Sequence, residues 1–107
     1  MSATDFLETA VKNLPGGLIL VDLQGKIRAV NETAELLLGL PGPVTAGIEC
    51  DIALSNHPRI IKALKSTLQT MEGSNRQELI TQRPDGEKMV LGYGMLVLKN
   101  KSGDPVG

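Results

Sequence analysis

At 107 residues, 41% apolar and 21% charged, the chain has the makeup of one soluble domain with one modest core. Its net charge of -1, with acids and bases interspersed, offers no basic stripe to track a phosphate backbone and argues against nucleic-acid binding. Phe6 and Tyr93 are the only aromatic residues, so the core must be aliphatic, and sites that stack flavin, haem or bases on aromatic rings are disfavoured.

The first thirteen residues carry acids early and no long apolar run, so they read as neither a signal peptide nor a membrane span. One cysteine, Cys50, excludes an internal disulfide and fits a reducing compartment. A cytoplasmic location without direct membrane contact is the expectation. Residues 4–14 set Phe6, Leu7, Ala10, Val11 and Leu14 on one helical stripe, with Thr4 or Asp5 as cap and Pro15-Gly16-Gly17 as terminator. The stripe either packs on its own domain or pairs with its twin in a homodimer.

Residues 18–22 and 26–30 are short apolar runs about Leu23-Gln24-Gly25, the pattern of a β-hairpin with glycine supplying a positive φ. Asn31 follows at once. Its side-chain oxygen suits it to cap a helix over residues 32–38, with Glu32 and Glu35 near the positive end of the helix dipole and Gly39 at the far end. Residues 40–56 are punctuated by Pro41, Gly42, Pro43 and Gly47 and read as loop and short helical turns. Pro58 then opens the longest helix, striped by Ile60, Ile61, Leu64, Leu68 and Met71 and stopped by Gly73. Residues 76–83 are compatible with a strand, 84–87 form a turn, and 88–99 read as a long strand with two apolar faces, both expected to be covered.

This order resembles the PAS sensor domain over essentially the whole chain. The matching blocks are "NLPGGLILVDLQGKIRAVNETAELLLG" at 13–39, "HPRIIKALKSTLQTMEG" at 57–73, "RPDGEKMVLGYGMLVLK" at 83–99 and "SGDPVG" at 102–107. The resemblance implies an α+β PAS fold: a five-stranded antiparallel sheet in spatial order 2-1-5-4-3, with helices packed across one face around a small pocket, preceded by the N-terminal amphipathic helix. A single domain over 1–107 follows, with the helix at 4–14 leading into a core at 17–107. In the family the fifth, central strand follows a turn like "SGDPVG", so the chain is expected to be truncated before that strand. The gap would then be open or filled by a neighbouring molecule or a displaced segment of the chain.

Each candidate for chemistry has a plainer account. Cys50 lies in "GIEC", where light–oxygen–voltage members of the family carry a flavin-reactive cysteine in Gly-x-Asn-Cys-Arg-Phe-Leu-Gln. Only Gly47 and Cys50 match, so a small buried or half-buried thiol is the better reading. Haem-binding members use a histidine on the helix that corresponds to the long one here. His57 instead precedes Pro58 at the entrance of that helix and is expected near the surface, not as a ligand. Asp22, Asp85, Glu87 and Asp104 are turn carboxylates without a nucleophile, base or phosphate loop beside them. No enzymatic activity, cofactor or metal is expected. Tyr93, mid-strand with an apolar ring and a hydroxyl, is placed to bond a ligand alongside Asn31, Thr33 or Arg28 if its face is the helix-covered one; otherwise it bonds backbone or packs outside.

These readings converge on a sensory and dimerisation module of a bacterial two-component signalling protein. The short, aromatic-poor sequence resembles the cytoplasmic domains of histidine kinases of the nitrogen-regulation type. Such a module would sense a small ligand or partner and relay it to a C-terminal output domain. The alternatives are a ligand-free homodimerisation module and, more remotely, a flavin photoreceptor domain.

Overall fold

The computed structural model describes residues 2–13, 16–40, 43–82 and 85–107; within the first helix the side chains of Thr4, Leu7, Glu8, Val11 and Lys12 lie outside the description. In chain order the elements are α1 (Ala3–Lys12), β1 (Ile19–Val21), β2 (Ile27–Val30), α2 (Glu32–Leu38), α3 (Cys50–Ala53), α4 (Pro58–Thr70), β3 (Ser74–Gln82) and β4 (Lys88–Met95).

Helix α1 is capped by Ser2 rather than by Thr4 or Asp5. The Ser2 hydroxyl accepts from the Asp5 N–H at 3.0 Å, and the Asp5 carboxylate accepts from the Ser2 N–H at 3.4 Å, a reciprocal pair that satisfies two first-turn donors. Every α1 residue of described exposure, Phe6 and Ala10 among them, is exposed.

The first hairpin forms as the glycine turn requires. Gly25 has φ +81°, and the Asp22 carboxylate accepts from the N–H groups of Gln24 and Lys26 at 2.9 and 3.0 Å. Pairing runs Ile19 to Val30, Leu20 to Ala29 and Val21 to Ile27, so Arg28 is bulged out of β2. The outer edge of β2 is covered by the incoming loop: the Ile27 N–H donates to the Ile48 carbonyl, and the Ile27 carbonyl accepts from Gly47. That contact carries the chain into α3 and sets Cys50 in the core.

The core consists of Ile27, Leu38, Cys50, Leu54 and Ile60, wholly aliphatic apart from the thiol, with Ile19, Val30, Leu64, Leu79 and Leu91 packed around it. A fully buried side chain such as Ile27 or Leu54 stabilises by about 1.5–3 kcal/mol over its exposed state. Helix α4 begins at Pro58 as expected, but it ends through Met71, which takes the left-handed conformation at φ +56°. Gly73 is a glycine for a different reason: a Cβ there would stand 2.6 Å from the Met95 carbonyl oxygen, where β3 starts against the end of β4.

Strands β3 and β4 pair antiparallel, with Leu79 opposite Leu91 and Gln77 opposite Tyr93. The odd-numbered residues of β4 turn inward and are half-buried. The even-numbered face is exposed, with Val90 at 66% and its partner Ile80 at 56%. The expectation that both faces of this strand are covered is therefore corrected, because the core helices pack on one face only.

Hydrogen bonding divides the strands into two two-stranded sheets, β1-β2 and β3-β4, and among the described residues no fifth strand joins them. The chain does turn back toward that position. The Asn100 N–H donates to the Asp104 carbonyl, Val106 donates to the Leu98 carbonyl, and Leu98 donates to the Gly107 carbonyl at 2.9 Å. A Cβ on Gly107 would collide with the carbonyl of Val21. Residue 107 thus stands between β1 and Leu98, in the stretch that follows β4, which places the two stretches one strand apart at this level.

Candidate functional site

Asn31 joins the first hairpin to the helical layer. Its Oδ1 accepts from the Ala34 N–H at 3.0 Å, capping α2, and from the Leu18 N–H at 2.8 Å; its Nδ2 donates to the Gly16 carbonyl at 2.9 Å. Gly39 closes the helix at φ +62°. Close approach completes the joint: a Cβ on Gly17 would lie 3.1 Å from the Ala34 Cα and Cβ. This geometry holds β1 against α2 and builds one wall of a cavity.

The cavity, about 310 Å³, lies between β1 and β4 beneath α2 and α4. Leu18 to Val21 line one side and Leu91 to Leu98 the other, with Leu38, Ile60 and Leu64 above. Its walls are largely aliphatic; Thr67 and Tyr93 are the polar side chains among its described lining residues. Beside it, between the C-terminal half of α4 and the start of β3, a polar cleft of about 220 Å³ shares Ala63, Thr67, Tyr93 and Met95 with the cavity. The two hollows adjoin at these four shared residues, one apolar and one polar.

Of the four residues considered for ligand contact, Tyr93 lines both hollows. Arg28 points away and pairs with Asp22 at 2.7 Å. Thr33 is half-buried on α2 outside the lining, and Asn31 bonds the backbone groups of Leu18, Ala34 and Gly16. Of the five residues considered for dimerisation, Phe6 and Ala10 are exposed on α1, whereas Leu14 and the side chains of Leu7 and Val11 lie outside the described residues. Sequence reading missed Thr67, Thr70 and Gln77 at the polar cleft. Thr67 and Thr70, three apart on the polar shoulder of the α4 stripe, were the available signal.

His57 corrects another expectation. It is fully buried, not near the surface. Its Nε2 lies 2.7 Å from the Leu38 carbonyl oxygen and its Nδ1 2.6 Å from Thr81 Oγ1. A carbonyl can only accept, so Nε2 carries a proton, and in the neutral ring the Thr81 hydroxyl donates to Nδ1. One side chain at the entrance of α4 thereby ties the end of α2 to β3.

The titratable groups displaced from their ordinary values stand elsewhere. N–H donation from Lys26 is the main cause that holds the Asp22 carboxyl below the usual range, aided by Gln24 and Arg28. The hydrogen bond from Lys65, 2.6 Å away, does the same for Asp51 and raises Lys65 in return. Burial pushes the Cys50 thiol up, and the neighbouring Asp51 adds to the effect. None of these four groups lines either hollow, so Cys50 is not presented to a molecule held there. Among the described residues no group of three or more His, Cys, Asp or Glu side chains could hold a metal, and no helix is long and apolar enough to cross a membrane.

Comparison with known proteins bears on the fold. An RNA-binding light–oxygen–voltage receptor superposes with a TM-score of 0.71 at 17% identity over 97% of this chain and 30% of its own. The PAS domain of an HTR-like protein from Haloarcula marismortui gives 0.61 at 18% identity, covering 96% of this chain and 90% of that one. The PAS domain of a protein from Colwellia psychrerythraea gives 0.67 at 17% identity, covering 99% and 91%. At such identities the likeness concerns the fold alone. No curated protein sequence matches. The family model described as the PAS fold matches residues 5–92, and with the hairpin, the asparagine-capped helix and the α-helical layer over an antiparallel sheet, this chain belongs to the PAS family.

Proposed function

We propose that this PAS domain is the sensory module of a cytoplasmic bacterial signalling protein of the histidine-kinase type, responding to a small ligand or partner. The observation that carries the reading is the match of the PAS fold to residues 5–92, together with the aliphatic layer in which Leu38 of α2 and Ile60 and Leu64 of α4 pack with Leu79 and Leu91 of the strands. That layer joins the helices to the second hairpin, so the binding energy of a ligand or partner that disturbs it depends on how those parts are packed. That dependence is what a sensor needs to shift a conformational equilibrium. The assignment to a bacterial kinase rests on the resemblance of the short, aromatic-poor sequence to the cytoplasmic domains of histidine kinases of the nitrogen-regulation type. Relay would run through the chain at residues 98–107, which follows β4, closes on itself through the Leu98, Val106 and Gly107 backbone and abuts β1.

Native mass spectrometry of the protein purified from cells tests the reading. The expected result is an added mass that is lost on denaturation. A bare polypeptide mass, together with no change in amide chemical shifts on titration with small aliphatic compounds, would overturn it.

A second reading, homodimerisation, is favoured by the exposed Phe6 on α1 and by the exposed Ile80–Val90 pair on the outer sheet face. Sedimentation velocity would show a dimer that Phe6→Glu or Val90→Glu dissociates; a monomer at all concentrations of the unaltered protein refutes it.

A further inference from the structure

The outer face of β4 carries two glycines that the chain's own fold does not require. Gly92 and Gly94 stand at even-numbered positions of the strand, on the face that the helices leave open. Neither has a positive φ. The nearest atom to a Cβ on Gly94 would be the Ser74 carbonyl oxygen, at an ordinary 3.5 Å, and the nearest to one on Gly92 would be the flexible guanidinium of Arg76, at 3.2 Å. Gly73, by contrast, is closed off by backbone. Glycine weakens the interior of a strand, and where neither a turn nor a contact explains it, it marks a place that another backbone approaches closely. Val90 and Leu96, the flanking residues in the same alternation, are both exposed, and Ile80 stands beside Val90 on β3. The outer face therefore holds a notch of bare backbone between apolar side chains.

Helix α1 has the matching shape. Its side-chain hydrogen bonds stay within residues 2–13, and Phe6 and Ala10, one turn apart on its apolar stripe, are both exposed. Along a helix axis these two positions lie about 6 Å apart. Gly92 and Gly94 lie about 6.6 Å apart along the strand. Ala10 is small enough to let the helix backbone close on Gly94. Phe6 then falls at Gly92, where the Arg76 guanidinium lies over the glycine and offers a cation to the ring face. Arg76 has no hydrogen bond or ion pair among the described residues, and Asp5, next to Phe6, brings the opposite charge to it. We propose that the Gly92–Gly94 notch seats α1 of a second copy of this chain, with Ala10 against the glycines and Phe6 on the Arg76 guanidinium. A two-fold axis makes the contact twice and so covers the helix stripe and the outer sheet face of both copies. The proposal rests on the homodimerisation reading above and names the surfaces that meet.

Gly94→Val and Ala10→Leu separate the interface from the fold. Valine suits a strand and leucine suits a helix, so in solutions dilute enough to hold monomers both variants should melt no lower than the parent. Each added side chain fills the space between helix and notch, and the dimer dissociation constant from sedimentation velocity should rise about tenfold. Arg76→Gln should raise it about two- to fivefold, the size of an exposed cation–ring contact. A dimer indifferent to either Gly94→Val or Ala10→Leu overturns the seat, and one indifferent to Arg76→Gln overturns the placement of Phe6, while homodimerisation stands in both cases. A dilute Gly94→Val protein that melts well below the parent shows that the fold itself needs the glycine and overturns the inference at its premise. A parent protein that is monomeric at all concentrations overturns the homodimerisation reading, and the seat with it.

Discussion

Replacing Asn31 by alanine should cost this domain a large part of its stability, and the structure allows the loss to be itemised. Asn31 is 3% exposed, and its side chain serves the N–H of Ala34, the N–H of Leu18 and the carbonyl of Gly16, among others. Loss of an N-cap costs about 1 kcal/mol. Leaving a partly buried N–H and a carbonyl without their partner adds about 1 kcal/mol each, at the lower end of the usual penalty because water can reach the hairpin end. The sum is about 3 kcal/mol, a substantial share of the roughly 5–15 kcal/mol that holds a domain together. At about 4–8 °C per kcal/mol for a domain near this size, the melting temperature should fall by roughly 12–24 °C in a calorimetric scan. Asn31→Asp separates the roles, since it keeps the acceptor for Leu18 and Ala34 and removes the donor to Gly16. It should lose about one third as much, about 1 kcal/mol. An alanine variant within about 0.5 kcal/mol of the parent in urea unfolding would refute the account, because a surface substitution has that size. An aspartate variant as unstable as the alanine one would refute the division of labour.

Close contacts and one displaced carboxyl set three further expectations. Gly73→Ala drives a Cβ toward the Met95 carbonyl, a backbone atom that cannot rotate away, and should destabilise by about 1–3 kcal/mol in urea unfolding; an unchanged midpoint would show that the contact relaxes freely. His57→Leu leaves the Leu38 carbonyl and the Thr81 hydroxyl without their buried partner and should cost about 3 kcal/mol, whereas adding Thr81→Val to it should cost less than the two single changes summed, a coupling of about 1 kcal/mol in a double-mutant cycle; strict additivity would refute it. Asp22 has a folded-state pKa below its unfolded value, so its contribution to stability is present above the unfolded pKa of about 3.9 and is lost as pH falls through the lower folded value. Melting temperatures measured from neutral pH down to strongly acidic solution should therefore fall less steeply for Asp22→Asn than for the parent, and parallel acid limbs would count against the carboxylate's role.

What the residues disclosed on their own depended on how far apart the interacting groups lie in the chain. The hairpin, its glycine turn and the Asn31 cap are local: Asn31 reaches Ala34 three residues on, and Asp22 reaches Gln24 and Lys26. Propensity and spacing carry that information. His57 is set by Leu38 and Thr81, 19 and 24 residues away, so nothing near it in the sequence distinguishes a buried linker from a solvated helix entrance. The end of α4 shows a competition between two demands. Gly73 looked like the helix stop, yet the strand that begins there needs the absence of a side chain more than the helix does, and Met71 takes the positive φ instead. For β4, two apolar faces do not reveal which one the helices cover. At the site, Tyr93 was legible as a lone amphipathic residue, but the polarity of Thr67 and Thr70 depends on where their protons go, which only the bonds to Ala63 and Ser66 disclose.

The arrangement of the sheet bears on how a binding event could be felt at a distance. Hairpins β1-β2 and β3-β4 share no ladder among the described residues, so their relative position is set by the helices laid over both and by the return of the chain at residues 104–107. The aliphatic contacts of α4 with Leu79 and Leu91 are non-directional and tolerate small displacements, because burial depends on area more than on angle. The Leu38–His57–Thr81 chain is directional and does not, since hydrogen bonds of 2.6–2.7 Å weaken steeply when bent. A shift of β4 driven by binding would therefore slide over the apolar layer and pivot about His57. On the sensory reading, a ligand that favours one packing by about 1.4 kcal/mol changes the ratio of the two packings tenfold. On that reading the pivot would carry the change from β3 to the end of α2.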